Sequence, residues 1–512
     1  MNSHLISLMI FLPALGALIQ ALLPARLAAG RGRTAVSLTR LLALGSSLAS
    51  SLIAIILVVM MQTQTAEPQL GITVPWIESY AINYDVGLDG LNALMVLLIA
   101  MVFPVLIAAE WKQKFGVRGM HGLFLILQTA FLGAVCSQDL FLQFFFWALS
   151  TMPFYFLIGI WGGNARESAA SRTVIASAIG NALFFCALIL IYYSVDPHSF
   201  SIHELAGGKL NVKTFELGGL ALPVSTVAYV LAGVGLALRI PIWPLHGWFT
   251  FAAEEAPLSV FIALAAVGAP VGTYLFIRLG YSLFPQTMFE SSNVIVIIGI
   301  VNFVIAGLCA IAQKSLRMLL AFLCMSGIGF ILLGAGSLNS AGAVGAVYQQ
   351  LMLGLGIAGF GLFSNLIQDR VGHTEFLGPE GKRNMSGIAA LAPIFAWVAG
   401  IVLASLIGFP GAGGFVSYSL LLIGGYSVHP LIIVISGIAI LLVVYCLFGM
   451  FRNVFMGKTM VLEGGGEFED ATLRERIYLL PIVAAILVFG FYPKPLIDLL
   501  RPTVLTLLST IK

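Results

Sequence analysis

The sequence is short of charge. Of 512 residues only 9% are Asp, Glu, Lys or Arg, while 60% are hydrophobic. A soluble domain is roughly a quarter charged. Mean hydropathy is +1.03, more apolar surface than a soluble fold can hide, so a soluble enzyme is excluded. Segments alternating over about ten residues, the mark of a transmembrane β-barrel, are missing; the apolar runs approach twenty residues instead. Net charge is only +3, which gives no reason to expect nucleic acid as a partner. Cysteine is scarce as well. Cys136, Cys186, Cys309, Cys324 and Cys446 fall singly inside apolar runs, with no CxxC pair. That leaves no iron–sulfur, haem or zinc spacing and predicts no cofactor on this chain. Their ordinary role is that of small core residues. The first run, Leu5 to Leu23, has neither a basic start nor an A-x-A site, so it reads as a first membrane helix and not a cleaved signal.

What is present is a succession of spans. Apolar runs lie near 5–23, 41–61, 91–109, 120–137, 141–161, 173–193, 222–251, 257–279, 294–312, 318–336, 341–366, 386–424, 430–451 and 477–493. The fold class is an all-α polytopic membrane protein with about fourteen transmembrane helices. Cations alternate between loops. Arg26, Arg31, Arg33 and Arg40 fill the first, Lys112, Lys114 and Arg118 the third, and Arg166 and Arg172 the fifth. Lys314 with Arg317, then Arg370, Lys382 and Arg383, then Arg452, Lys458, Arg474 and Arg476 continue the series. The alternate loops are nearly free of cations; the exception is 194–221, with Lys209 and Lys213. By the preference of Lys and Arg for the cytoplasmic side, both termini lie outside, in the periplasm of a bacterium.

Two spans are interrupted. RIPIWPLHGW holds Pro241 and Pro244; IGFPGAGGFVS holds Pro410, Gly411, Gly413 and Gly414. Proline removes a donor and clashes with the preceding turn, and the freed backbone groups need partners inside the protein or in a wet cavity. Paired broken helices point to a transporter-type fold of inverted repeats. The expected layout is helices 1–3 in 1–119, a five-helix repeat in 120–279, its inverted partner in 280–429, and C-terminal helices in 430–512.

The spans are almost empty of ionisable groups. Arg239, beside the first break, is the clear exception, and an intramembrane charge marks a functional site by default. Arginine keeps its proton, so it serves as a field source or as an anchor for freed carbonyls, not as a proton carrier. His246 could titrate near neutral pH or tether the break by donating to a carbonyl. Glu254 or Glu255 could cap the helix that begins near Pro257. Asp89 reads as a helix N-cap, with Asp85 nearby. Glu110, Lys112 and Lys114 read as interfacial anchors. Gln128, Ser150, Thr151, Ser177, Asn181, Ser326, Gln349, Gln350, Asn365, Ser417 and Tyr418 fall inside spans and read mostly as interhelical glue.

The stretches DLFLQFFFWALSTMPFYFLIGIWGG, LRIPIWPLHGWFTFAAEEAPLSV, AQKSLRMLLAFLCMSGIGF, IGFPGAGGFVS and YLLPIVAAILVFGFYPKP resemble the antiporter-like membrane subunits of respiratory complex I, the M-type (subunit 4) above all. The resemblance runs from about residue 85 to 500. Cation/proton antiporter and membrane-bound hydrogenase subunits share the fold. It implies fourteen helices in two inverted repeats, other antiporter-like and membrane-arm subunits as partners within a lipid bilayer, and no redox chemistry on this chain. It also implies a proton route along central Glu, Lys and His residues. This chain has Ala148 where the family has Glu, Arg239 for a Lys, and Pro270 near a second Lys. Gly327 and Leu353 stand for two His, and Tyr418 for the ionisable residue after the second break. Phe251 and Ala253 replace an Asp and a His, while His246, Glu255, Ala256 and Pro257 match. The scaffold is kept and the relay is not. Arg239, His246 and Glu255 remain as ion-path candidates. The readings are a coupled translocating subunit, a scaffold between pumping neighbours, or a carrier of a small neutral or anionic molecule such as inorganic carbon.

Overall fold

The computed structural model describes residues 3–24, 38–206, 210, 214–217, 220–378, 385–459 and 468–511. Arg26, Arg31, Arg33, Lys209, Lys213, Lys382 and Arg383 lie outside the described residues. Among the described residues, eleven helices are long and apolar enough to cross a membrane; a bent pair, Leu473–Phe491 with Lys494–Ser509 at 73°, makes a twelfth. Shorter apolar helices at Val224–Ala237, Pro393–Leu406 and Gly413–Tyr426 flank the two expected breaks.

The chain opens with α1 (Ser3–Leu22) and α2 (Leu38–Met60), then turns through the antiparallel hairpin β1 (Gln69–Ile77) and β2 (Ile82–Leu88). This hairpin falls in a stretch expected to be a plain loop. Thr73 pairs with Asp85 in its register, and the Thr73 hydroxyl donates to the Asp85 carboxylate at 2.8 Å. α3 (Gly90–Ala109), α4 (Val117–Cys136), α5 (Leu140–Leu149), α6 (Thr151–Trp161) and α7 (Arg166–Ser194) follow. After a second small hairpin, α8 (Val224–Ala237) and α9 (Gly247–Glu255) carry the first break. Beyond it lie α10 (Leu258–Ile262), α11 (Ala269–Leu283), α12 (Ser292–Ile311), α13 (Leu316–Gly336) and α14 (Ser340–Val371). α15 (Pro393–Leu406) and α16 (Gly413–Tyr426) carry the second break; α17 (Pro430–Phe455), α18 (Leu473–Phe491) and α19 (Lys494–Ser509) complete the chain.

Burial separates centre from rim. The spans Leu258–Leu283, Leu316–Gly336 and Ser340–Val371 are more than nine-tenths buried, whereas α1, α2, α7 and α17 bury a third or less. A helix apolar all round belongs in a core or in lipid; here the centre and the rim divide those roles. Glycine lets backbones meet where hydrophobic force between helices is weak. A Cβ on Gly180 would come within 2.5 Å of the Gly235 carbonyl, and one on Gly235 within 2.6 Å of the Gly180 carbonyl, so α7 and α8 touch backbone to backbone.

Among the described residues, the cation-bearing loops after α3, α6, α12 and α14 share one face. Trp161 Nε1 donates to the Phe115 carbonyl at 2.9 Å, Gly163 N to the Glu255 carbonyl at 2.8 Å, and Phe376 N to the Lys314 carbonyl at 2.9 Å. The hairpin, the α4–α5 turn and the start of α3 are tied together on the other face. Gln138 N donates to the Asp85 carbonyl at 2.8 Å, and Gly90 N to Thr503 Oγ1 of α19 at 3.2 Å.

Candidate functional site

Helix α8 ends because Pro241 and Pro244 cannot continue it. The groups this frees are met inside the protein. Trp243 N donates to Asn302 Oδ1 of α12 at 2.9 Å, and Asn302 Nδ2 donates to the Met325 carbonyl of α13 at 2.8 Å. Arg239 sits at the same break, 7% exposed. Its Nη1 donates to the Trp147 carbonyl and to Asn181 Oδ1, each at 2.9 Å, and its Nη2 donates to Ser150 Oγ at 2.7 Å. The guanidinium also lies 3.9 Å from the centre of the Trp147 ring. The Trp147 carbonyl lies where α5 gives way to α6, and it also accepts from Ser150 Oγ at 2.7 Å. Ala148, half-buried, is the next residue along. Among the described residues no carboxylate lies within ion-pair distance of Arg239.

Pro270 has a different effect. Lacking an N–H, it breaks the ladder one turn back, and the helix passes from α10 into α11 through a π-helical turn, Ala263–Gly268. The displaced carbonyls are covered: Cys324 Sγ donates to that of Ala265 at 3.3 Å, and Gly354 lies against that of Ala266. Thr273 Oγ1 donates to the Pro270 carbonyl at 2.7 Å and accepts from Gln350 Nε2 at 3.0 Å.

Gly327 of α13 and Leu353 of α14 face each other. The Leu353 side chain fills the space a Gly327 side chain would need. Tyr418 closes the second break, donating its hydroxyl to the Leu406 carbonyl at the end of α15 at 2.9 Å. Gly408 and Gly411 take left-handed φ of +70° and +92° there, beside Pro410, and only glycine adopts such angles freely. Ser417 hydrogen-bonds to Gln349. Gly327 and Leu353 are therefore built into packing, Tyr418 into capping, Pro270 into a distorted helix, and Arg239 into a cage of neutral acceptors.

Three expectations need correction. His246 tethers nothing: its buried Nδ1 has no hydrogen-bond partner, and the ring packs edge-on against Phe322. Glu255 does not cap α10, whose N-cap is Pro257. Its Oε2 instead accepts from Ala165 N at 2.8 Å, at the start of α7. Nor is Arg239 alone. Arg278 of α11 is buried and ion-paired with Asp89, and its Nη2 donates to Gln138 Oε1 at 2.5 Å. Asp89 does cap α3 as expected, through Oδ1 to Leu91 N and Asn92 N at 3.0 Å each. Its other oxygen takes Arg278, 189 residues away, a contact with no local signal in the sequence.

Further charges gather on the cation-bearing face. Buried Glu475 receives Arg370 Nη2 at 2.6 Å, with Lys112 Nζ at 4.0 Å. Beside it a cavity of about 730 Å³ is lined by Glu110, Glu254, Glu255, Asp369, Glu375 and Arg317, among others. Both faces thus carry carboxylates and cations, while the positions between them hold Gly, Leu, Pro, Tyr, amides, hydroxyls and one arginine.

Helix breaks at two places, a buried centre and rim helices left bare define a multi-pass helical membrane protein with interrupted spans. The family model described as NADH:quinone oxidoreductase/Mrp antiporter, TM, matches residues 137–443, and the chain belongs to that family. Relatives named chain 4 or subunit M are among those it is similar to. A NAD(P)H-quinone oxidoreductase chain 4 of Thermosynechococcus vestitus is 33% identical over 444 residues, covering 84% of this chain and 79% of that one. NADH-quinone oxidoreductase subunit M of Rhodobacter capsulatus is 26% identical over 511 residues, covering 98% and 96%. A chain of respiratory complex I from Thermus thermophilus superposes over the full length of both chains, with a TM-score of 0.85 at 22% identity. That likeness speaks for the fold.

Proposed function

We propose that this chain is a structural, non-conducting M-type subunit of a complex I-type NADH:quinone oxidoreductase assembly. It packs beside other antiporter-like and membrane-arm subunits in a bacterial inner membrane, both termini outside. The family and the relatives' names support the assembly; the cation asymmetry supports the orientation. The reading assigns no cofactor to the chain and leaves redox chemistry to other subunits. One observation carries it: Leu353 occupies the side-chain space of Gly327. Two positions that the resemblance assigns to titratable residues are apolar and filled from each other. A carrier of anions built on Arg239 is disfavoured, because three of its donor contacts are already taken by Trp147, Asn181 and Ser150.

The test is coupled proton pumping per electron, measured on the intact assembly in proteoliposomes, with Gln350→Leu and Tyr418→Phe introduced separately. Both remove polar groups from the interior and leave Arg239 in place. Unchanged pumping in assembled complexes supports the reading. A clear fall per electron, with subunit content intact, sinks it.

A further inference from the structure

The first hairpin lies across the ends of two spans, α1 and the pair α5–α6, each of which is buried over well under half of its length. Between them and β1 runs a groove of about 490 Å³, walled by Phe11 of α1, Val74 and Trp76 of β1, and Phe145 and Phe146 of α5. Its aromatic walls are open: Phe11 is 40% exposed, Phe145 43% and Trp76 49%. Ring contacts hold the shape. Trp76 meets Phe145 edge-on at 5.9 Å, and Phe11 lies 6.1 Å from Phe146. One polar pair interrupts the apolar lining, where the Tyr84 hydroxyl donates to Ser7 Oγ at 2.9 Å.

An aromatic-lined cleft of this size with a single polar spot suits a small amphipathic ligand. A helix of a neighbouring subunit is too bulky for it. One helical turn is about 10 Å across and about 5.4 Å long, so the groove would hold little more than that. An acyl chain is thin and flexible enough to follow it. Depth agrees. Ser7 and Phe11 stand near the start of α1, and Leu142 and Phe145 near the start of α5, so the groove begins where both spans begin. Trp76 and Tyr84 line its hairpin end, at the level where Trp and Tyr gather in a bilayer. The charge around the groove selects the head. α1, the hairpin and α5 carry Glu78 and Asp85 and, as a basic group, only His4. Phosphate heads are ordinarily held by Arg or Lys, and these elements have neither. Glu78, exposed at the hairpin turn two residues from Trp76, offers a carboxylate to an ammonium.

We propose that the groove beneath the first hairpin is a lipid site, taking one acyl chain of a phospholipid whose head carries an amine, such as phosphatidylethanolamine. The chain lies against Phe11 and Phe145, and the ammonium is drawn to Glu78. An anionic head without an amine, such as phosphatidylglycerol, finds no matching cation on the elements that wall the groove. The site is independent of whether the chain conducts.

The experiment is photolabelling of the whole assembly in proteoliposomes, with phosphatidylethanolamine or phosphatidylglycerol bearing the same diazirine-tagged acyl chain. Labelled peptides are read by mass spectrometry, and the bare α7 face around Ile175 and Ile179 measures bulk lipid contact. The amine-headed probe is expected to label residues 142–146 several-fold more than the α7 face. Val74→Phe, at an exposed strand position, fills the groove and should return that signal to the α7 level. Glu78→Gln should narrow the difference between the two heads and leave the chain in place. Labelling of residues 142–146 no greater than that of α7 overturns the site, whatever covers the groove instead. So does a signal that Val74→Phe leaves unchanged. Equal labelling by the two probes in the native chain overturns the choice of head.

Discussion

Arg278 and Asp89 show what a single charge pair does to a helix bundle. Arg278 falls in the last turn of an apolar run, where a cation is expected to reach for water, yet it turns inward. Its partner was legible only as a helix cap, because a cap is set by neighbours in sequence and an ion pair across 189 residues is not. Arg278→Met is expected to cost about 3–5 kcal/mol, since it leaves the Asp89 carboxylate buried and unpaired. Adding Asp89→Asn should recover part of the loss, because asparagine still caps a helix. Thermal denaturation midpoints of the purified assembly measure both. Asp139 makes a second case. Fully buried, it accepts from Phe141 N and Leu142 N at the start of α5 and from Asn83 N of the hairpin, at 2.9, 3.0 and 3.1 Å. Burial nevertheless pushes its carboxyl up to about 6 from an ordinary 3.8. The folded form then holds the proton more tightly than the unfolded one. Its contribution is greatest below the unfolded value and is lost as pH rises through about 6. Asp139→Asn should flatten the stability profile between those two values, by on the order of 2–3 kcal/mol.

Among the elements, the breaks were the most legible. Proline and glycine announce them, and both fall where RIPIWP and FPGAGG stand. The hairpin was missed although GITVPWI is rich in β-branched and aromatic residues, the composition of a strand. The π-turn at Ala263–Gly268 was missed because its cause, Pro270, was weighed as a lost side chain and not as a missing N–H. Packing between elements had no signal at all. Gly327→Ala places a methyl group against Leu353 and is expected to destabilise by about 1–3 kcal/mol. Leu353→Ala alone should cost about 2–5 kcal/mol. The pair together should cost clearly less than the sum, because each change makes room for the other. A double-mutant cycle on denaturation midpoints decides this.

For the molecule as a whole, composition was enough for the class, a multi-pass membrane protein. The placement of charge in depth was not legible, because it arises from contacts between distant helices. α19 illustrates the point. It lies beyond the last expected span, bends away from α18 by 73° and buries Leu496, Leu499, Leu500 and Val504. Thr503 reaches the Gly90 backbone beside Asp89. Ending the chain at Pro493 should remove roughly 5 kcal/mol or more of packing and loosen the α3 end of the bundle. Limited proteolysis of the truncated chain within its assembly should then cut in the hairpin between Gln69 and Leu88, which the native chain protects.

The interlock of Gly327 and Leu353 also bears on ancestry. A descendant that acquired a bulky titratable residue at 327 would first meet the leucine already there. Position 353 has to shrink before position 327 can grow, and the intermediate carries a cavity with no function to offset it. The pair is in that sense ratcheted, and lineages carrying it are expected to keep it.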